Sequence, residues 1–322
     1  MRRRDLATTF AAIVGVSLLS KRGLGAPKSP IGLSDSENAS LQAVVRSAQR
    51  LSLEVPPGLR SRGLREASRI EISQLVLNAL DRVESERSAL DVASAGGTLL
   101  SSVNQRFRDA HFLEPIGRGI APSFDAAEKA NLRKKFQDCQ TSDAHRPKIL
   151  SAAKFIISPS AKARYEEVAS ISKVPWYVIG AIHYREASLN FYAHLYNGDR
   201  LDRKTRNVPP NKPSGAWPPS PFDPRTAWRT SAIDALHEFD QIHSWTLEEM
   251  LYGFEKYNGF GYRSKNIVSP YVWNYSQYYT RGGFPQDRKW DQNYVSRQAG
   301  LGVLVKELSV IDPNGVKITT ET

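Results

Sequence analysis

The chain has 322 residues, 40% of them hydrophobic, so one or two domains with a sizeable core can form. A formal charge of +11 and an isoelectric point near 9.7 favour anionic partners such as nucleic acid, a membrane surface or a bacterial wall. The single cysteine, Cys139, excludes an internal disulfide.

Arg2-Arg3-Arg4 precedes an apolar run from Leu6 to Leu19 that is too short to span a bilayer comfortably. Small residues follow at Gly23, Gly25 and Ala26. Residues 1–26 thus read as a twin-arginine export signal, with an uncleaved membrane anchor as the alternative. The expected location is the periplasm, cell envelope or exterior. Residues 27–138 read as a helical extension. Leu41, Val44, Val45, Ala48 and Leu51 predict a helix over 36–51, which Pro56-Pro57-Gly58 breaks. Ile72, Leu75, Val76, Leu80 and Val83 predict a second over 70–90. Gly96-Gly97 precedes a weaker third pattern, and a polar helix is expected over 125–137. This extension packs on the main domain or spaces it from a membrane.

From about residue 139 the character changes. Short helices are expected over 148–157 and 160–171, the second with Ser160 as N-cap. Pro175 then suits a first helical turn, and Trp176, Ile179, Ile182 and Leu189 recur at helical spacing. This core helix carries Glu186 among Ala181, Ile182, Ala187 and Leu189. A carboxyl in such surroundings is expected to have a raised pKa and to serve as a general acid. Residues 197–228, with prolines 209, 210, 213, 218, 219, 221 and 224, read as a long non-helical insertion, with a small hairpin arm over 201–208. Helices are expected over 230–243, with Ile233, Leu236 and Phe239 inward, and over 246–257, where Thr246 and Glu249 form a capping box. Ser269–Phe284 reads as a loop wall, and a last helix is expected over 294–308, before a tail at 313–322. The class expected is mainly α.

Glu186-Ala187-Ser188-Leu189-Asn190-Phe191 and, downstream, Tyr257-Asn258-Gly259-Phe260-Gly261 form an ordered pair of elements. Together they resemble the Glu-Ser-x-Phe and Tyr-Asn-x-Gly elements of goose-type lysozymes and lytic transglycosylases. His194–Asp199 and Ser269–Trp273 are similar to runs in phage-type and exported lysozyme-like proteins. The resemblance implies a lysozyme-like helical domain over 139–312, with a small hairpin or irregular insertion after the catalytic helix. It further implies cleavage of the β-1,4 bond between N-acetylmuramic acid and N-acetylglucosamine of peptidoglycan. Glu186 would be the general acid, and Ser188, Tyr257, Asn258 and Gly259 would contact sugar. This chain departs from the pattern in two ways. Ala187 replaces the common serine, and no Gly-Leu-Met-Gln element separates the two motifs. A glycan-binding scaffold without turnover is therefore the alternative function.

Asp199, after the Asn197-Gly198 turn signal, is the candidate second carboxylate, acting on water or on the charge that develops on the sugar; a turn-forming aspartate is the other reading. In lytic transglycosylases the substrate's own 6-hydroxyl attacks instead, and no second carboxylate is needed. Aromatic residues crowd 252–294, and Tyr275, Tyr278 and Tyr279 are the rings expected to face sugar. Arg263, Lys265, Arg281, Arg288 and Lys289 interleave with them. An anionic wall accounts for this charge, and no nucleic acid is expected. His183, Glu186 and His194 lack a His-Glu-x-x-His pattern, so neither a metal nor a cofactor is expected.

Overall fold

Ser34 starts the first helix, α1 (Asp35–Arg50), through a capping box in which Glu37 Oε2 accepts the Ser34 N–H at 2.8 Å. The expected apolar stripe, Leu41, Val44, Val45 and Ala48, is its buried face. The protein is described here as a computed structural model covering residues 33–60, 68–83, 86–104, 123–286 and 289–321. The expected export signal at 1–26 and Arg288 of the basic run lie outside these residues. Gly32–Thr322 form one compact unit, so the helices of the expected extension and those of the 139–312 region belong to the same body.

The unit is mainly helical. The run expected as one helix over 70–90 is two: α2 (Ser68–Leu80) and α3 (Arg87–Asn104), with α1 and α2 both packed on α3. Turn hydrogen bonds from Arg82 to Ala79 and from Val83 to Leu80 end α2, where its apolar stripe gives way to charge. Gly96-Gly97 lies inside α3 rather than before a helix. The reason is close approach: a Cβ on Gly97 would sit 2.5 Å from the Cβ of Tyr192.

α4 (Ala126–Asp138) is capped by Asp125 and tied to the C-terminal part by Lys306, whose ammonium donates to the carbonyls of Phe136, Gln137 and Cys139. α5 (Arg146–Ile156) and α6 (Pro159–Ser172) follow; Ser158, not Ser160, holds the N-cap position, with Pro159 in the first turn. α7 (Trp176–Ala187) is the central helix, buried at every position from Tyr177 to Ala187. Residues 188–223 are irregular. No hairpin forms at 201–208, only an isolated bridge between Ala193 and Arg200, because side chains rather than a strand ladder tie this segment.

α8 (Pro224–Leu236) begins several residues before the expected start. Asp223 accepts the Thr226 N–H at 2.8 Å, and Pro224 needs no N–H partner at the first helical position. A short 3-10 turn, His237–Phe239, continues it. α9 (Leu247–Asn258) opens with the expected Thr246–Glu249 capping box. α10 (Pro270–Trp273) is a single turn inside the expected loop wall. The hairpin comes later: β1 (Gly283–Gln286) pairs antiparallel with β2 (Lys289–Asp291), Gly283 opposite Asp291 and Gln286 opposite Lys289. α11 (Leu301–Ile311) starts at Leu301, not 294. Residues 294–300 are instead irregular and are held by bonds such as Gly300 N–H to the Asn274 carbonyl. α11 packs on α5, α7 and α10. Among the described residues, no helix is long and apolar enough to cross a membrane.

Candidate functional site

The last turn of α7 presents four polar side chains to the interior, and each has a partner. His183 Nδ1 lies 2.9 Å from the Tyr165 hydroxyl, inside a cage completed by Phe191 and Trp228. Burial holds this imidazole down to about 3, so it is neutral at neutral pH. Tyr184 accepts the Ala299 N–H at 3.0 Å. Arg185 donates to the Gln298 carbonyl at 3.1 Å and lies over the Tyr271 ring. Glu186, only 1% exposed, accepts a hydrogen bond from the Tyr271 hydroxyl at 2.7 Å. Burial first, then the neighbouring Glu186 charge, pushes Tyr271 well above the usual tyrosine range. Its hydroxyl therefore stays protonated and remains a donor.

The end of α7 leaves carbonyls that the helix itself cannot satisfy. Ser188 and Leu189 both adopt left-handed backbone and turn the chain back, so that Leu189 N–H reaches the His183 carbonyl at 3.1 Å. Gln298 Nε2 lies 3.3 Å from the carbonyls of both Tyr184 and Arg185. Asn104 on α3 donates to the Ala187 carbonyl at 3.0 Å, and Ser73 on α2 to the Ser188 carbonyl at 2.7 Å. α2 and α3 thus fasten the turn that carries Glu186.

Tyr271 joins Glu186 to the second sequence element. Its ring lies 6.4 Å from that of Tyr257, which stacks on Phe239 at 5.2 Å. Asn258 follows at the end of α9, 1% exposed, and its Nδ2 has no hydrogen-bond partner among the described residues. A buried amide donor left unpaired costs about 1–3 kcal/mol. Gly259 then turns with φ of 90°.

The remaining expected residues lie elsewhere. Asp199 belongs to the turn behind Glu186: Gly198 packs so closely that a Cβ there would lie 2.7 Å from the Glu186 carbonyl oxygen. The Asp199 carboxylate faces its own loop. It accepts from Arg206 N–H at 2.7 Å, Asn207 N–H at 2.9 Å, Asn207 Nδ2 at 2.5 Å and Asn197 Nδ2 at 3.3 Å. Ser188 and Tyr275 share a small cavity with Tyr184. The Tyr275 ring stacks on His145 at 4.1 Å, and its hydroxyl donates to the Arg297 carbonyl at 2.7 Å. Tyr279 is buried, with its hydroxyl 3.1 Å from the Gly282 carbonyl, whereas Tyr278 is half-buried against Trp273. His194 lies between Ser231 and the Arg203 carbonyl. No group of three metal-ligating side chains occurs among the described residues.

Tyr271, a direct partner of Glu186, is not singled out by the sequence; its only signals are the Ser269–Trp273 run and the aromatic crowding. Gln298 gives no sequence signal. In comparisons with known proteins, no family model, no curated protein and no solved structure matches the chain.

Proposed function

We propose that this protein cleaves the β-1,4 bond between N-acetylmuramic acid and N-acetylglucosamine in peptidoglycan, with Glu186 as general acid, by lytic transglycosylation. The observation that carries the reading is the buried Glu186 carboxyl with the Tyr271 hydroxyl at 2.7 Å and Tyr257 beside that ring. It is joined by the unpaired Asn258 amide, a donor that a sugar hydroxyl or acetamide carbonyl would satisfy. Protonated Glu186 gives its proton to the bridging oxygen as the bond to the anomeric carbon breaks. The resulting carboxylate takes the proton of the muramic 6-hydroxyl, whose oxygen closes on that carbon to give an anhydro sugar end. The engaged Asp199 favours this route over hydrolysis, since four donors already occupy its oxygens. The net positive charge supports action at an anionic cell envelope, after export.

The 1% exposure of Glu186 favours a second reading, a glycan-binding scaffold without turnover. One experiment separates them: mass spectrometry of purified peptidoglycan after incubation with the protein and with Glu186→Gln. Anhydro-muropeptides from the unmodified protein alone are expected. Reducing-end products would make it a muramidase. Wall binding with no products would leave the scaffold.

A further inference from the structure

The left-handed turn after Glu186 opens onto a cavity of about 140 Å³. Three cationic side chains line it: Arg69 from α2, Lys148 from α5 and Arg297 from the segment before α11. Among the described residues, no Asp or Glu lines it. Arg69, 8% exposed, donates to the Ser188 hydroxyl at 3.0 Å. Lys148 lies 5.7 Å from the centroid of the Tyr275 ring, which forms another wall. The Arg297 guanidinium is half-buried and makes no hydrogen bond or ion pair among the described residues. An anion entering this partly enclosed space meets three cationic side chains at once, among them the Arg297 guanidinium.

Shape and position narrow the anion. The space holds a carboxylate with its adjoining carbons, not a chain of sugars. A planar carboxylate matches the two-pronged donor face of arginine. Ser188 is two residues beyond Glu186, so the cavity adjoins the end of the helix that delivers the acid. Resting on the peptidoglycan reading above, we infer that Arg69, Lys148, Arg297 and Ser188 form a carboxylate subsite for the peptide stems of the glycan. The stem hangs from the muramic sugar next to the bond that Glu186 would protonate. The subsite would therefore make the protein prefer strands that still carry acidic stems.

The test is titration calorimetry on the full chain with a synthetic stem tetrapeptide bearing free carboxylates, and with the same peptide fully amidated. The acidic peptide is expected to bind at least about tenfold more tightly, since one charge-assisted contact is worth that factor. Arg297→Gln should remove about tenfold toward the acidic peptide and leave the amidated one unchanged. Lys148→Gln repeats the test if Arg297→Gln lowers the melting temperature. Equal binding of the two peptides, or no effect of either substitution, overturns the subsite. So does inorganic phosphate binding as tightly as the peptide, which would make this a general anion pocket. The readout needs no turnover. Absence of lysis with selective peptide binding would sink the enzymatic reading alone, and lysis with equal binding would sink the subsite alone.

Discussion

The Tyr271 hydroxyl donates to Glu186. It reaches the carboxyl across 85 residues of sequence, at 2.7 Å and fully buried. Tyr271→Phe removes that donor and little volume. On the proposed mechanism Glu186 becomes a carboxylate as it gives up its proton, and a hydrogen bond to a charged group is worth about 1.5–3 kcal/mol, so the rate of muropeptide release should fall roughly 10- to 100-fold with the fold intact. Initial rates beside a melting curve check this; full activity would mean that Tyr271 only fills space. Asp199 should behave in the opposite way. Asp199→Asn cannot accept all four of the loop's donors, and the expected loss is about 2 kcal/mol of stability by urea unfolding, with activity per folded molecule retained. Loss of activity at unchanged stability would return Asp199 to the chemistry. Sequence alone anticipates the burial of Glu186, because a carboxyl within an apolar periodic run is visible locally. It leaves Asp199 open between two roles, since a turn-forming aspartate and a catalytic one share the same neighbours in sequence. Tyr271 is out of its reach because its meaning is a distant contact.

Helix periodicity carries the element scale where a buried stripe meets a recognisable cap, as in α1 and α9. Boundaries move where the cap or the packing partner is non-local. α8 starts early because Asp223 and Pro224 together make a good N-terminus inside a run dominated by proline. Gly96-Gly97 reads as a break and is a packing surface, since only a partner 95 residues on, Tyr192, reveals why glycine stands at 97. The segment after α7 is irregular as expected, yet its order comes from side chains such as Asp199 and not from a hairpin. The same segment offers a sharp test of how α7 is held. At Gly198, φ is +71°, and an added Cβ would stand 2.7 Å from the Glu186 carbonyl oxygen. Gly198→Ala therefore meets both backbone strain and collision, which together cost on the order of 1–3 kcal/mol. The melting temperature should drop. Activity should drop further than the unfolded fraction accounts for, because the residue displaced is Glu186. A variant as stable and active as the parent would show that the turn has room to move.

At the scale of the whole molecule, the mainly α class follows from helical periods and the scarcity of alternating runs. Integration of the N-terminal third does not follow, because Arg69, Ser73 and Asn104 meet the end of α7 through single hydrogen bonds that leave no periodic trace. Burying α7 on every side also makes global stability depend on pH. His183 is fully buried and its pKa is depressed to about 3, with desolvation as the main cause. Burial likewise lowers His194. In the unfolded chain an imidazole titrates near 6.5. Between those values the unfolded state binds a proton that the folded state refuses, so stability is complete above about pH 6.5 and falls as pH drops toward 3. Each pH unit separating the folded and unfolded values is worth about 1.4 kcal/mol, giving His183 a span on the order of 5 kcal/mol over the whole window. Paired carboxylates such as Asp202 and Asp312 are held below their usual range and lose their stabilising charge only at the acid end. Urea unfolding followed from about pH 7 to about pH 4.5 therefore stays above the loss from these paired carboxylates, and comparison with a His183 variant cancels other groups such as Glu71, whose carboxyl is pushed up by burial. The protein should lose stability steadily across that range. His183→Gln should start from a lower value, having lost the Tyr165 contact and the ring packing, but with a visibly shallower slope. Parallel slopes for the two proteins would show that His183 gains its proton while folded, and that the core around α7 admits charge more readily than its burial implies.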